Sequence, residues 1–143
     1  MRYTIQGLAL ALALVTSLPA LAQAGGSTAM VEGPFKDATY VVRTAHCGEP
    51  ASMSVTATAE GVVKGQRRSL PIKLTPTKEK GVYQFTRTWP SDGNWIVRLT
   101  PAGRDRAVTL VAIASDGLVG DNEFVWKSDG RRECDQKLAA NSK

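Results

Sequence analysis

Three side chains in the sequence belong to the types that most often do chemistry: His46, Cys47 and Cys134. They are the only histidine and the only cysteines among 143 residues. His46 and Cys47 are adjacent, and with Met53 or Met30 they form a candidate copper(I) site, because thiolate and thioether ligands favour that ion. A single histidine leaves little material for a Ser-His-Asp arrangement. The sequence therefore predicts a protein that is not an enzyme, with His46 and Met53 as its candidate metal ligands.

The first 24 residues have the layout of a secretory signal peptide. Arg2 supplies a positive charge, residues 8–15 are an unbroken apolar run, and small residues lead to Ala24. This order of charge, apolar stretch and small residues is typical of a cleaved export signal. The apolar run is shorter than the roughly 20 residues of a transmembrane helix. We therefore expect cleavage after Ala24, a periplasmic or secreted protein, and no transmembrane segment afterwards.

Export gives the two cysteines a second interpretation. In an oxidising compartment an even number of cysteines favours a disulfide. The sequence accordingly predicts a bridge between Cys47 and Cys134, which would tie the start of the domain to its end. Copper binding by His46 is the alternative.

Basic residues outnumber acidic ones by 18 to 13, which gives a net charge of +5. One basic grouping consists of Arg67 and Arg68 with Lys64, Lys78 and Lys80, and a second consists of Arg131 and Arg132 near Lys127. Acidic residues are dispersed among them, so the favoured interpretation is an ordinary solvated surface. A surface that meets anionic headgroups or an acidic partner is the alternative. Nucleic acid is not an expected partner, because the protein is exported and the basic sites have no aromatic stacking platform.

Most of the remaining chain follows the two-residue period of half-buried strands. Residues 52–59 alternate strictly between apolar and hydroxyl side chains, and a second alternating run surrounds Pro71. Proline cannot donate a ladder hydrogen bond, which places that run at a sheet edge or in a bulge. Residues 107–114 are apolar on both faces and indicate a central strand, and residues 124–126 form a short final strand.

Two further alternating runs, residues 82–89 and 94–100, flank the sequence Pro-Ser-Asp-Gly at residues 90–93. A proline followed by an Asp-Gly pair suits a tight turn, so the two runs predict a hairpin. We predict that most aromatic residues of these two runs lie in the core. Trp89 and Trp126 lie near strand ends and are the candidates for an exposed aromatic binding surface.

Short strands separated by Gly, Pro and Asp turns predict an all-β domain at residues 37–130. The predicted fold is an antiparallel immunoglobulin-like sandwich of about seven strands, with a small β-barrel as the alternative. Residues 25–36 are rich in Gly and Ala and predict a flexible lead-in. Residues 131–143 predict a charged tail or a short helix.

The segment Gly-Val-Tyr-Gln-Phe at residues 81–85, then Pro90, then Gly-Asn-Trp-Ile-Val-Arg-Leu at residues 93–99, resembles the YtkA-like and FixH-type exported domains. Residues 50–57 are similar to the strand that precedes this segment in those domains, so the resemblance covers about half of the mature chain. It implies an immunoglobulin-like sandwich that acts as a binding or accessory module, with a link to copper-enzyme assembly in some relatives. The chain departs from those relatives because it lacks a membrane anchor and a His/Met cluster.

These observations predict a non-catalytic exported module that recognises a protein or envelope partner. Periplasmic copper handling is the alternative function. A sheet edge can bind a partner by accepting another strand, and the strand that contains Pro71 is the poorer acceptor. We therefore expect strand addition at the opposite edge, and Arg67, Arg68, Trp89 and Trp126 in the binding surface.

Overall fold

The structure, a computed structural model, describes residues 26–114, 117, 120–126 and 128–141. This part of the chain contains ten strands, a three-residue 3-10 helix at Lys36–Ala38 and one α-helix. The predicted signal peptide at residues 1–24 lies outside this part. In chain order the elements are β1 (Ser27–Glu32), β2 (Thr39–His46), β3 (Glu49–Pro50), β4 (Val55–Val63), β5 (Gln66–Ile72), β6 (Thr75–Pro76), β7 (Val82–Thr86), β8 (Asn94–Pro101), β9 (Ala107–Ile113), β10 (Glu123–Trp126) and the helix α1 (Arg131–Ala140).

The strands form two antiparallel five-stranded sheets that pack as a sandwich. The first sheet has the order β1-β2-β7-β6, and β3 also pairs with β2. The second has the order β10-β9-β8-β4-β5. Neither closes on itself, so the predicted antiparallel sandwich is confirmed and the barrel alternative is wrong. In the described part of the chain, no helix is long and apolar enough to span a membrane.

The core between the sheets contains the alternating apolar side chains of both. Tyr40 stacks on Phe85 with ring centroids 5.1 Å apart, and Trp89 lies 6.2 Å from Trp95. Trp89 is only 4% exposed, and the Arg87 guanidinium covers its ring at 5.6 Å. The prediction that Trp89 belongs to an exposed binding surface is therefore wrong.

The predicted hairpin between residues 82–89 and 94–100 is also wrong. β7 pairs with β2 and β6 in the first sheet, whereas β8 pairs with β4 and β9 in the second. The connection between them crosses from one sheet to the other and carries Trp89 into the space between the sheets. The alternation of residue types gave two strands and a turn correctly, but it does not indicate which sheet each strand joins.

The predicted flexible lead-in at residues 25–36 contains the first strand. Within β1, Ala29 and Val31 are buried at 0% and 2% exposure. The small residues that are typical of a flexible segment are needed here for close packing. A Cβ atom on Gly26 would lie 2.8 Å from the Asp105 carbonyl oxygen and 2.9 Å from the ring of Trp126.

Two other expectations are confirmed. β5, which contains Pro71, is an edge strand of the second sheet. β9 lies between β10 and β8, as expected for a run that is apolar on both faces. A two-residue turn at Lys64 and Gly65, both with positive φ, joins β4 to β5. This conformation is that of the tight turns that match the twist of a hairpin.

The helix α1 covers the outer face of the second sheet. Cys134 and Leu138 lie one turn apart on α1 and pack against Ile96, Val108 and Leu110 of the sheet. Gly130 precedes the helix, and a Cβ atom there would lie 2.9 Å from Val108 Cγ1. The part of β8 and β9 beneath α1 is therefore buried on both faces of the second sheet, whereas β5 and the outer face of the first sheet are partly exposed.

Candidate functional site

A buried carboxylate lies on the outer face of the second sheet, beside α1. Glu60 of β4 is 4% exposed. Its Oε1 atom accepts hydrogen bonds from the hydroxyls of Thr58 at 2.8 Å and Ser69 at 3.0 Å. A buried carboxylate is costly unless it is paired and hydrogen-bonded, and these two bonds supply part of what it needs.

Two arginines complete the environment of Glu60. Arg67 Nη2 lies 3.3 Å from Glu60 Oε2, and Arg98 Nη2 lies 3.4 Å from Oε1. Arg67 Nη2 also lies 3.0 Å from Asp135 Oδ1 on α1, and Arg98 Nη1 donates to the Asp129 carbonyl oxygen at 3.4 Å. The network therefore links strands β4, β5 and β8 to the start of the helix.

This network forms the wall of an open pocket of about 290 Å³ that we call the arginine pocket. Every residue that lines it is polar or charged. These residues are Glu60, Arg67, Ser69, Arg98, Arg131 and Asp135. Among the lining residues three guanidinium groups face two carboxylates, and the carboxylate of Asp129 pairs with the third guanidinium from beside the pocket.

The arginine pocket joins the two basic groupings of the sequence. Arg67 comes from the first grouping and Arg131 from the second, and the fold brings them to one site. Arg131 is highly exposed and pairs with Asp129 at 3.5 Å. Arg98 Nε is buried and has no hydrogen-bond partner among the described atoms. A guanidinium cluster with unused donors can bind a carboxylate or another oxyanion through charge-assisted hydrogen bonds.

Arg68 does not belong to the pocket. In the β4–β5 register it lies opposite Gly61, whereas Arg67 lies opposite Val62. Neighbouring residues of a strand point to opposite faces, so only Arg67 faces α1. Arg68 Nη2 donates to Gln66 Oε1 at 3.3 Å on the exposed edge. The joint surface predicted from Arg67 and Arg68 is therefore divided between two faces.

The predicted disulfide is absent, and both cysteines are free thiols. Cys47 is exposed in the tight turn between β2 and β3 of the first sheet, with φ of 51°. Cys134 is buried under α1 on the far side of the second sheet, where Arg67 Nη2 lies 3.8 Å from its sulfur. The prediction is wrong because pairing was judged from an even cysteine count, which does not say where the residues lie. Burial raises the pKa of the Cys134 thiol, and Arg67 offsets part of that rise.

The candidate copper ligands occupy separate segments of the chain. His46 ends β2 and is exposed, with its Nδ1 atom 3.1 Å from the Ser27 hydroxyl. Met53 is half-buried in the segment before β4, and its carbonyl oxygen accepts a hydrogen bond from the Tyr83 hydroxyl at 2.7 Å. Among the described residues, no group of three or more His, Cys, Asp or Glu is placed to hold a metal ion. Copper binding by His46 and Met53 stays a prediction, which titration with copper(I) under reducing conditions tests.

Sequence reasoning missed Glu60 and Arg98 as site residues. Glu60 follows the alternating run at residues 52–59 and falls on its polar face, which is the face that α1 covers. Arg98 similarly interrupts the apolar pattern of β8. A charged residue on the polar face of a strand is ordinarily solvated, so only the position of the helix could identify this pair.

Trp126 is 37% exposed, as expected of a surface aromatic, and lies against Gly26 on the far edge of the second sheet from Arg67. In the second basic grouping, Arg132 is exposed and pairs with Glu133 at 3.2 Å, and Lys127 lies outside the described residues. Comparison with protein families, curated proteins and solved structures finds no match to the chain.

Proposed function

We propose that the protein is a non-catalytic exported binding module that recognises an anionic group of a protein or envelope partner through the arginine pocket. The observation that carries this proposal is the convergence of Arg67, Arg98 and Arg131 on one open, wholly polar pocket. Ion pairs with the buried Glu60 orient two of these arginines, Arg67 and Arg98. A pre-positioned guanidinium binds an oxyanion with less loss of side-chain entropy than a mobile one.

The immunoglobulin-like assignment and the kinship with YtkA-like and FixH-type domains belong to the same proposal, as does the periplasmic or secreted location. The two-sheet architecture supports them in a general way, because sandwiches of this kind present edges and loop ends to partners. The signal-like residues 1–24 support the location. Under this proposal the protein acts as an accessory module and the pocket is its recognition site.

Binding to two anionic probes tests the proposal. The probes are polyglutamate, which represents an acidic protein, and phosphatidylglycerol vesicles, which represent an anionic envelope surface. We expect at least one probe to bind at low salt and to be released at high salt. Phosphatidylcholine vesicles serve as the neutral control.

Charge-matched variants locate the binding site. Arg67→Gln and Arg131→Gln each remove one positive charge from the pocket, whereas Arg68→Gln removes one from the opposite face. One basic residue near an anionic surface contributes about 1 kcal/mol, so we expect each pocket variant to weaken binding about fivefold. We expect a smaller effect from Arg68→Gln. Absence of binding to both probes, or equal losses in all three variants, would overturn the proposal.

A further inference from the structure

We propose that the free edge of β5 accepts an extended acidic segment of a protein partner as an additional strand. This inference rests on the proposed function, because it names the kind of partner whose carboxylate would enter the arginine pocket. Strand addition uses the unpaired backbone groups of an edge strand for affinity and the adjoining side chains for specificity. β5 supplies both within Gln66–Ile72.

The other long edge strand, β1, is not available for strand addition. β1 is the outermost strand of the first sheet, but its backbone is already bonded on the outer side. The side-chain amide of Asn122 bonds the N–H of Val31 at 2.8 Å and its carbonyl oxygen at 3.0 Å. The Thr109 hydroxyl donates to the Ala29 carbonyl oxygen at 2.6 Å.

The remaining outer strands are short. β6 has two residues, one of them proline, and β10 has four. In the described part of the chain, β5 is therefore the only outer strand of more than four residues whose free edge lacks such bonds. The expectation that the edge opposite the Pro71 strand is the better acceptor is not supported by this geometry.

The register of the β4–β5 hairpin sets which backbone groups of β5 face outward. Its two-residue turn closes on the pair Val63 and Gln66. Hydrogen-bonded and non-hydrogen-bonded pairs alternate along an antiparallel ladder. Counted from a hydrogen-bonded closing pair, Arg67, Ser69 and Pro71 direct their backbone groups away from β4. Pro71 then interrupts no bond to β4, and Arg67 and Ser69 present free N–H and C=O groups.

The same two residues face the arginine pocket with their side chains. Arg67 and Ser69 both line it. A strand paired with β5 would therefore bring its side chains of the same face next to Arg67. The chain has no acidic residue between Glu60 and Glu79, whereas it has five basic ones in that interval.

This charge decides between two occupants of the edge. Opposite charges on paired strands are stabilising and like charges directly opposite are destabilising. A second copy of β5 would bring two more arginines to this edge and no acidic residue to pair with them, so self-pairing is disfavoured, as is usual for charged edges. An acidic segment meets complementary charge on both faces of β5.

The test uses three fluorescent decapeptides with the full-length mature protein. The first alternates glutamate and threonine. The second has the same sequence but carries an N-methyl group on every peptide nitrogen, which keeps the charge and removes the backbone donors of both edges. The third alternates lysine and threonine. Each is titrated against the wild type and against Arg67→Gln, with Arg68→Gln as the charge-matched comparison.

We expect the acidic peptide to bind and the basic peptide not to bind. The N-methylated peptide should bind at least about tenfold more weakly than the acidic one, because two hydrogen bonds of about 1 kcal/mol each are lost. Hydrogen exchange provides a direct measurement, because the amides of Arg67 and Ser69 should gain protection when the acidic peptide binds.

Equal binding of the acidic and N-methylated peptides would overturn strand addition but leave anion recognition intact. Binding to phosphatidylglycerol vesicles without binding to either acidic peptide would also overturn this inference, and would assign the pocket to an envelope surface. Failure of the peptides, of polyglutamate and of the vesicles would overturn both proposals.

Discussion

Replacement of Leu138 by alanine tests whether α1 is an integral layer of the fold. Leu138 is 2% exposed and packs with Cys134 against Ile96, Val108 and Leu110. The substitution removes three buried carbons, which at about 0.8 kcal/mol each amounts to about 2.4 kcal/mol. The cavity left beneath the helix adds to this, so we expect the free energy of unfolding to fall by about 3 kcal/mol.

Urea denaturation of the mature protein, followed by tryptophan fluorescence, measures this loss. Lys137→Ala is the matched control on the same helix. Its partly exposed ion pair with Glu123, 3.0 Å long, should contribute at most about 1 kcal/mol. The m-value should change little in either variant if unfolding stays two-state. A loss of less than about 1 kcal/mol for Leu138→Ala would refute the docking of α1 on the second sheet.

Three further predictions concern the glycine beneath the core tryptophan and the two thiols. Gly61→Ala should lower the free energy of unfolding by about 1 to 3 kcal/mol. The added Cβ would lie 2.4 Å from the buried Trp95 ring, which is 1% exposed. An unchanged urea midpoint would contradict this packing. Iodoacetamide should modify Cys47 in the native protein and Cys134 only in denaturant, and intact-mass spectrometry measures both reactions. A mass 2 Da below that of the reduced protein, restored by reduction, would instead establish the disulfide. Burial raises the folded-state pKa of Cys134 above its ordinary value of 9.0, so the unfolded state loses this proton first as pH rises. Stability that is fully present below pH 9 should therefore decline above it, and Cys134→Ser should show a shallower decline in urea titrations at several alkaline pH values.

Much of the sandwich could be predicted from local patterns because burial on one face imposes a two-residue period. The buried residues Ala57 and Ala59, the edge position of Pro71 and the interior position of β9 all follow from such patterns. The partner of each strand could not be predicted in the same way. β7 and β8 are separated by a turn sequence that suits a hairpin, but their pairing depends on contacts with β2 and β4, which are distant in sequence.

The site was less predictable than the fold because its main feature is a long-range coincidence. Arg67 was identified from its charge, but Glu60 gives it a fixed position and Arg131 joins it only when α1 packs on the sheet. The wrong assignments of Trp89 and of the disulfide have a related cause. A strand-end position and an even cysteine count indicate what a residue could do, whereas burial in the folded chain decides whether it can.

The proposed role in recognition would account for the number of guanidinium groups in the arginine pocket. A network that only neutralised Glu60 would need one arginine, yet Arg67 and Arg98 both contact this carboxylate. Asp135 also pairs with Arg67. Arg131 adds a third guanidinium at the exposed rim, where it pairs with Asp129 at 3.5 Å. Both Arg67 and Arg98 pair with the buried Glu60, and the exposed part of Arg67 lies beside the free edge of β5. Guanidinium donors and unpaired backbone groups in one place would suit an acidic extended partner, and a larger loss of its binding in Arg67→Gln than in Arg68→Gln would distinguish this role from general surface charge.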